Sequence, residues 1–170
     1  FINIECIDEI ADFIGVKPQV AAITAATMRG EINFEASLTQ RVALLAGLDA
    51  SALEHVYNER LKPNPGAAEM VHGLHAAGIK IGLVSGGFTF CTGRLKQRVS
   101  RDYARANVLE IADGQLTGRV LGKITGAAGK AEFLLDLCQQ LGISPQQVVA
   151  MGDGANDLEM MKIAGLSIAY

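Results

Sequence analysis

The spacing of apolar residues changes once along this chain, near Pro65, and the change separates two kinds of structure. Before it the spacing is helical. Ile7, Ile10, Ala11 and Ile14 form one stripe ended by Gly15; Val20, Ile23 and Thr27 form a second, ended by Gly30; Leu38, Val42 and Leu45 form a third, ended by Gly47. A fourth helix is predicted from about Ala50 to Leu61, with Asp49 as its cap and Lys62-Pro63-Asn64-Pro65 as its stop, since prolines forbid continuation. Beyond Pro65 helices alternate with short apolar strands: helix 66–77, strand 79–84, helix 88–99, helix 130–141, strand 148–151, helix 155–164 and strand 166–169. That alternation predicts a parallel sheet covered by helices. Val108–Ile111 and Leu116–Val120 depart from it. They flank Ala112-Asp113-Gly114-Gln115, and Asp-Gly between two β-rich runs encodes a tight hairpin, read here as a structural flap.

The expected architecture is therefore α/β, a small helical module in front of a parallel sheet. With 170 residues, 49% of them apolar, the chain can bury one good core, and disorder is excluded as a bulk description. A net charge of −3 gives no basic field, which argues against nucleic acid as the main partner. No run of 18 apolar residues and no charged-then-apolar leader is present, so neither membrane insertion nor export is expected. The three cysteines, Cys6, Cys91 and Cys138, are far apart and lack metal-binding spacing. They read as reduced residues of a cytoplasmic protein, with no disulfide framework.

Candidate chemistry gathers at two predicted strand ends. Val148-Val149-Ala150-Met151 runs into Gly152-Asp153-Gly154-Ala155-Asn156-Asp157, which places Asp153 at the carboxyl end of a strand and Asp157 on the next helix. In open parallel sheets that edge binds ligands. Two acids so close, with no basic neighbour in sequence, need a cation, for which Mg²⁺ is suited; the plainer reading is a pair of acids favouring a helix start. Ser85-Gly86-Gly87 ends another strand on the same edge and offers a hydroxyl and two unhindered amides to an oxyanion, or else a plain strand-to-helix turn. Lys130 is expected at a helix start, where the dipole disfavours a cation unless it reaches a shared anion. Gly126–Ala131 is no nucleotide P-loop, because the glycines are too close and Ala131 replaces the metal-binding hydroxyl.

Other residues are less decisive. Arg41 sits within an apolar stripe and either snorkels at an edge or points into a cleft toward an anion. Glu5 reads by itself as an ordinary first-turn acid. His72 and His75 have no third ligand, and Arg94, Lys96, Arg98, Arg101 and Arg105 form a solvated basic face without interleaved aromatic residues.

Taken in order, Val84-Ser85-Gly86-Gly87-Phe88, Lys130 and Gly152–Asp157 resemble the second, third and fourth motifs of the haloacid dehalogenase superfamily, and 2–11 with 28–42 resemble its cap. The resemblance covers nearly the whole chain. It implies a Rossmann-like core, residues 1–5 and 63–170, with a four-helix cap, residues 6–62. It further implies Mg²⁺-dependent hydrolysis of a phosphomonoester through a phosphoaspartyl intermediate. Asp153 then resembles the metal ligand and Asp157 the acid behind it. Ser85, Gly86 and Lys130 resemble the phosphate grip, Lys130 being catalytic as well, and Asn156 a further contact on that side. Glu5 and Arg41 resemble the residues that take a substrate's ammonium and carboxylate, with Met28 and Phe34 as an apolar lid. O-phospho-L-serine is the small-molecule substrate so implied, hydrolysed in the last step of serine biosynthesis; another small phosphorylated metabolite, or phosphate binding without catalysis, is the alternative. The oligomeric state is not legible. The family's first motif, DxDxT, supplies the nucleophile and the general acid and would lie immediately before Phe1. The expectation is that both ends are trimmed from a normal enzyme, and that the chain as numbered lacks the central strand and shows no turnover by itself.

Overall fold

The computed structural model describes residues 5–92 and 102–170. Ile2 and Ile4, the expected helix beyond residue 92, and Arg94, Lys96, Arg98 and Arg101 lie outside the described residues.

Helices α1 (Cys6–Phe13), α2 (Lys17–Met28), α3 (Phe34–Ala43) and α4 (Ser51–Glu59) form in order as their apolar stripes predict. Asn33 caps α3 by accepting from the Ala36 amide at 2.8 Å, and Asp49 accepts from the Ser51 amide at the start of α4, also at 2.8 Å. Each satisfies an amide that has no partner inside its helix. The stripe of α2 buries least: Val20 is fully covered, while Ile23 and Thr27 are only half-buried.

The hairpin is built as predicted and placed where sequence could not say. Strands β2 (Tyr103–Ala112) and β3 (Gln115–Leu121) pair antiparallel around Asp113-Gly114, both at positive φ, as a tight turn of the matching twist requires. Its tip is tied to the loop between α3 and α4. The Leu116 carbonyl accepts from Gly47, the Leu116 amide donates to Leu48, and Ala50 donates to Gly114, each at 2.8 Å. Phe88, Leu109 and Leu116 then complete one core with Ile10, Val20, Leu38 and Leu53 of the helices and Leu45 of the turn after α3. The flap is thus part of the wall against which the helices pack.

After α5 (Ala67–Ala76), strand β1 (Gly82–Phe88) pairs parallel to β2, giving a sheet in the order β1-β2-β3. Strand β1 starts later and runs further than residues 79–84. Its register with β2 slips between Val84 and Phe88, so Ser85-Gly86-Gly87 form an irregularity inside the strand, whereas a turn after it was expected. Helix α6 (Ala127–Leu141) begins before Lys130, because Ala127 and Ala128 already favour helix; Lys130 occupies its first turn and donates its amide to Gly126. Strand β4 (Val149–Gly152) and strand β5 (Leu166–Ala169) form a second parallel sheet, joined by a 3-10 turn at Ala155–Asp157 and helix α7 (Leu158–Ile163). Helix α6 touches both sheets: Leu134 and Cys138 form a cluster with Ala150 of β4 and Met160 of α7, against which Val84 of β1 also packs.

The fold brings two of the cysteines together. Cys6 of α1 and Cys91, just beyond β1, lie side by side across a separation of 85 residues, while Cys138 is buried apart from them. Distance along the chain said nothing of proximity in space. Among the described residues no helix is long and apolar enough to cross a membrane.

Candidate active site

Lys130, in the first turn of α6, reaches the loop that follows β4. Its Nζ lies 2.6 Å from Oδ1 of Asp157, with both side chains buried. The second oxygen of Asp157 accepts from the amides of Asp153 and Gly154, each at 3.2 Å. One carboxylate therefore holds the lysine and shapes the Gly152–Asp157 loop at the same time. A Cβ at Gly152 would overlap the Asp157 side chain, so the glycine is needed for that side chain to fold back under the loop. Asp153 stands exposed at the tip, and Asn156 is half-buried with its amide oxygen against Gly154.

Asp153 is the described residue whose chemistry suits a hard cation here: an anionic oxygen donor, open to solvent, beside a loop of backbone amides. Mg²⁺ is commonly held by one or two carboxylates with waters and substrate phosphates completing its shell. No cluster of three or more His, Cys, Asp or Glu among the described residues makes a metal cage, so Asp153 fits as one contributor. Tyr170 follows β5 close enough that the Asp153 and Asp157 carboxylates, together with burial as the larger cause, push its phenol pKa up.

The irregular stretch of β1 supplies the facing wall. Ser85 Oγ accepts from the Gly87 amide at 3.0 Å. Asn107, buried on β2, donates its side-chain amide to the Gly86 carbonyl at 2.8 Å and accepts from the Thr125 amide at 2.7 Å. Sequence reading missed Asn107. Its signal was available: an amide side chain at a buried position of a β-rich run, between Ala106 and Val108, is costly unless it satisfies specific groups.

Helix α3 closes the site from above. The Phe34 ring packs over Gly86 and Gly126; its Cζ lies 3.0 Å from where a Cβ on Gly86 would stand. Arg41, two turns further along, is buried on the same face, so it does not snorkel at an exposed edge. Burial pulls its pKa down, and the charges of Glu5 and Asp8 oppose that. Its polar contacts are long: 4.0 Å to Glu5, 3.4 Å to the Ser37 carbonyl and 3.5 Å to Thr24 Oγ1. The guanidinium is thus charged, desolvated and largely unspent. Asp8 Oδ1, whose carboxylate acts on Arg41, and Ser37 Oγ, one turn before Arg41, are buried and hold no hydrogen bond, two more groups that the sequence reading passed over. Glu5 is largely exposed beside Arg41, and Met28 at the end of α2 is 84% exposed and is not brought to the site.

The described residues form an α/β fold, two helix-covered sheets that each contain a parallel pair, with a buried lysine–aspartate pair at the loop after β4. The chain belongs to the haloacid dehalogenase-like hydrolases, whose family model matches residues 3–165. It is 56% identical over 174 residues to the phosphoserine phosphatase of Polaromonas sp. (strain JS666 / ATCC BAA-500), covering 99% of this chain and 74% of that protein. Its fold matches a probable phosphoserine phosphatase from Vibrio cholerae in unliganded form, with TM-score 0.89 and 48% identity, over 97% of this chain and 51% of that one. A substrate-bound phosphoserine phosphatase complex matches with TM-score 0.91 and 42% identity, over 99% of this chain and 80% of that one. The chain thus spans about three quarters of the Polaromonas protein and about half of the Vibrio chain.

Proposed function

We propose that the protein hydrolyses O-phospho-L-serine to L-serine and phosphate with Mg²⁺. The observation that carries this reading is the span of α3. One end lays Phe34 over Gly86 at the phosphate-facing strand, and two turns away Arg41 presents an unspent buried guanidinium. Two turns rise about 11 Å, and side chains directed inward shorten that span toward the reach of a small phosphorylated amino acid.

In this reading Ser85, the Gly86 amide and Lys130 grip the phosphoryl group, with Asn156 on the same side. Lys130 neutralises charge that develops on the phosphoryl oxygens, an effect strengthened by its burial. Arg41 takes the α-carboxylate through charge-assisted hydrogen bonds and Glu5 takes the ammonium. Phe34 excludes water from the Gly86 side; Met28 would join it only by moving from its exposed place. Asp153 would hold the Mg²⁺, which supplies charge neutralisation at the phosphoryl group when bound. Asp157 holds Lys130 and the loop. The phosphoryl group passes to a carboxylate and from it to water; we assign that nucleophilic role to neither Asp153 nor Asp157. Residues 6–62 act as the cap, and residues 1–5 with 63–170 as the core.

The test is phosphate release from O-phospho-L-serine, with and without Mg²⁺, by the full-length wild-type protein and by its Asp153→Asn variant. Turnover should require Mg²⁺, and the amide should raise the Mg²⁺ concentration needed for half-maximal rate. An unchanged Mg²⁺ dependence in the variant removes Asp153 from the metal side. Absence of phosphoserine turnover alongside cleavage of other small phosphomonoesters overturns the substrate assignment.

A further inference from the structure

We infer that Asn107 is a positioning residue for the phosphate grip, acting through the Gly86–Gly87 peptide to aim the Ser85 hydroxyl. The inference rests on the reading of Ser85 as a phosphate contact. Where β1 slips its register against β2, the regular ladder no longer serves the backbone of Ser85-Gly86-Gly87. Asn107, paired with Phe88 just past the slip, supplies the missing partner: its Nδ2 donates to the Gly86 carbonyl at 2.8 Å. That carbonyl and the Gly87 amide belong to one rigid peptide plane. The same plane donates its N–H to Ser85 Oγ at 3.0 Å. With a lone pair so engaged, the hydroxyl proton of Ser85 is turned away from that peptide and left free for a ligand oxygen. The other end of the Asn107 amide accepts from Thr125 at 2.7 Å and so fixes the start of the segment that leads into α6 and Lys130. One side chain, 1% exposed, thereby sets the spacing between both halves of the grip.

A merely structural asparagine would lower stability and activity together, so the test needs a cycle. Asn107→Ala, Asn107→Asp, Ser85→Ala and the double variant Asn107→Ala with Ser85→Ala are compared with wild type. The readouts are KM and kcat for phosphoserine, the same for an aryl phosphate lacking the amino acid, the inhibition constant of inorganic phosphate, and the melting temperature. Losing a charge-assisted contact corresponds to roughly tenfold or more. Both Asn107 variants should therefore weaken inorganic phosphate by roughly tenfold and raise KM in parallel for the two substrates. In the Ser85→Ala background, Asn107→Ala should cost less than about threefold, because the group it aims is gone. Asn107→Asp keeps the acceptor for Thr125 and decides the matter where Asn107→Ala does not fold. Fully additive losses, an unchanged phosphate inhibition constant in a folded variant, or failure of both variants to fold would each overturn the proposal. If wild type cleaves the aryl phosphate and not phosphoserine, the substrate assignment fails while this inference is still decided by the phosphate readout. A wild-type protein that neither binds phosphate nor cleaves either compound overturns both.

Discussion

Lys130 Nζ and Asp157 Oδ1 sit 2.6 Å apart with both side chains buried, at the junction of α6 with the loop that follows β4. Replacing the lysine leaves a buried carboxylate whose remaining partners are two backbone amides. Lys130→Met should therefore cost about 3 kcal/mol in stability as well as abolishing turnover. Adding Asp157→Asn removes the orphaned charge and keeps an acceptor for the loop. Urea unfolding should show most of the lost stability restored in the double variant, with activity still absent.

Arg41→Ala separates recognition of the amino acid from recognition of phosphate. A charge-assisted contact to a carboxylate contributes about 2–3 kcal/mol, so kcat/KM for phosphoserine should fall by roughly 30- to 150-fold. A carboxylate-free aryl phosphate should lose far less. Steady-state kinetics on the two substrates would show equal losses only if Arg41 were holding the helices together and nothing more.

Space beneath the Gly152–Asp157 loop is already filled by Asp157. Gly152→Ala should force that side chain out of its place, break its hydrogen bonds to the Asp153 and Gly154 amides, and lower both stability and Mg²⁺-dependent turnover. Gly142→Ala tests the contrast: no atom lies within 4 Å of a Cβ there, and its φ of +66° taxes stability at the end of α6 without reaching the loop. Paired melting curves and Mg²⁺ titrations would distinguish the two; a loop effect in Gly142→Ala would contradict this account.

Acid should loosen the join between α5 and the first sheet. The Ile81 amide hydrogen bond, followed by Lys80, holds the Asp102 carboxyl below the usual aspartate range, with His75 adding a smaller favourable charge. A depressed folded-state pKa contributes stability that is present above the unfolded value, about 3.9, and lost as pH falls through the folded one. Urea midpoints measured from about pH 6 to about pH 3 should therefore drop more steeply in wild type than in Asp102→Asn. Parallel curves would place the acid sensitivity elsewhere.

Much of the fold was legible along the chain because it depends on local periodicity and local punctuation. The stripes of α1, α3 and α4, the stops at Gly15, Gly30, Gly47 and Pro63, and the Asp113-Gly114 turn all report interactions within a few residues of themselves. The order of Ser85-Gly86, Lys130 and Gly152–Asp157 was equally readable, since strand-end glycines and the acids beside them carry their chemistry in their types. Boundaries were less so. β1 continues through Ser85-Gly86-Gly87 because a distant side chain, Asn107, serves the backbone there, and no window of sequence around residue 85 contains it.

What the sequence determined by itself was the order and type of most described helices and strands, and the residue types from which a phosphate and cation site is proposed. What only the tertiary structure decided was which of them meet. It put Phe34 on Gly86, turned Arg41 inward with its donors unspent, left Met28 outside, brought Cys6 beside Cys91, and seated the hairpin tip against the loop of Gly47–Ala50. The reason is physical: periodicity encodes which face of an element is apolar, whereas the partner of that face is fixed by packing among elements far apart in the chain.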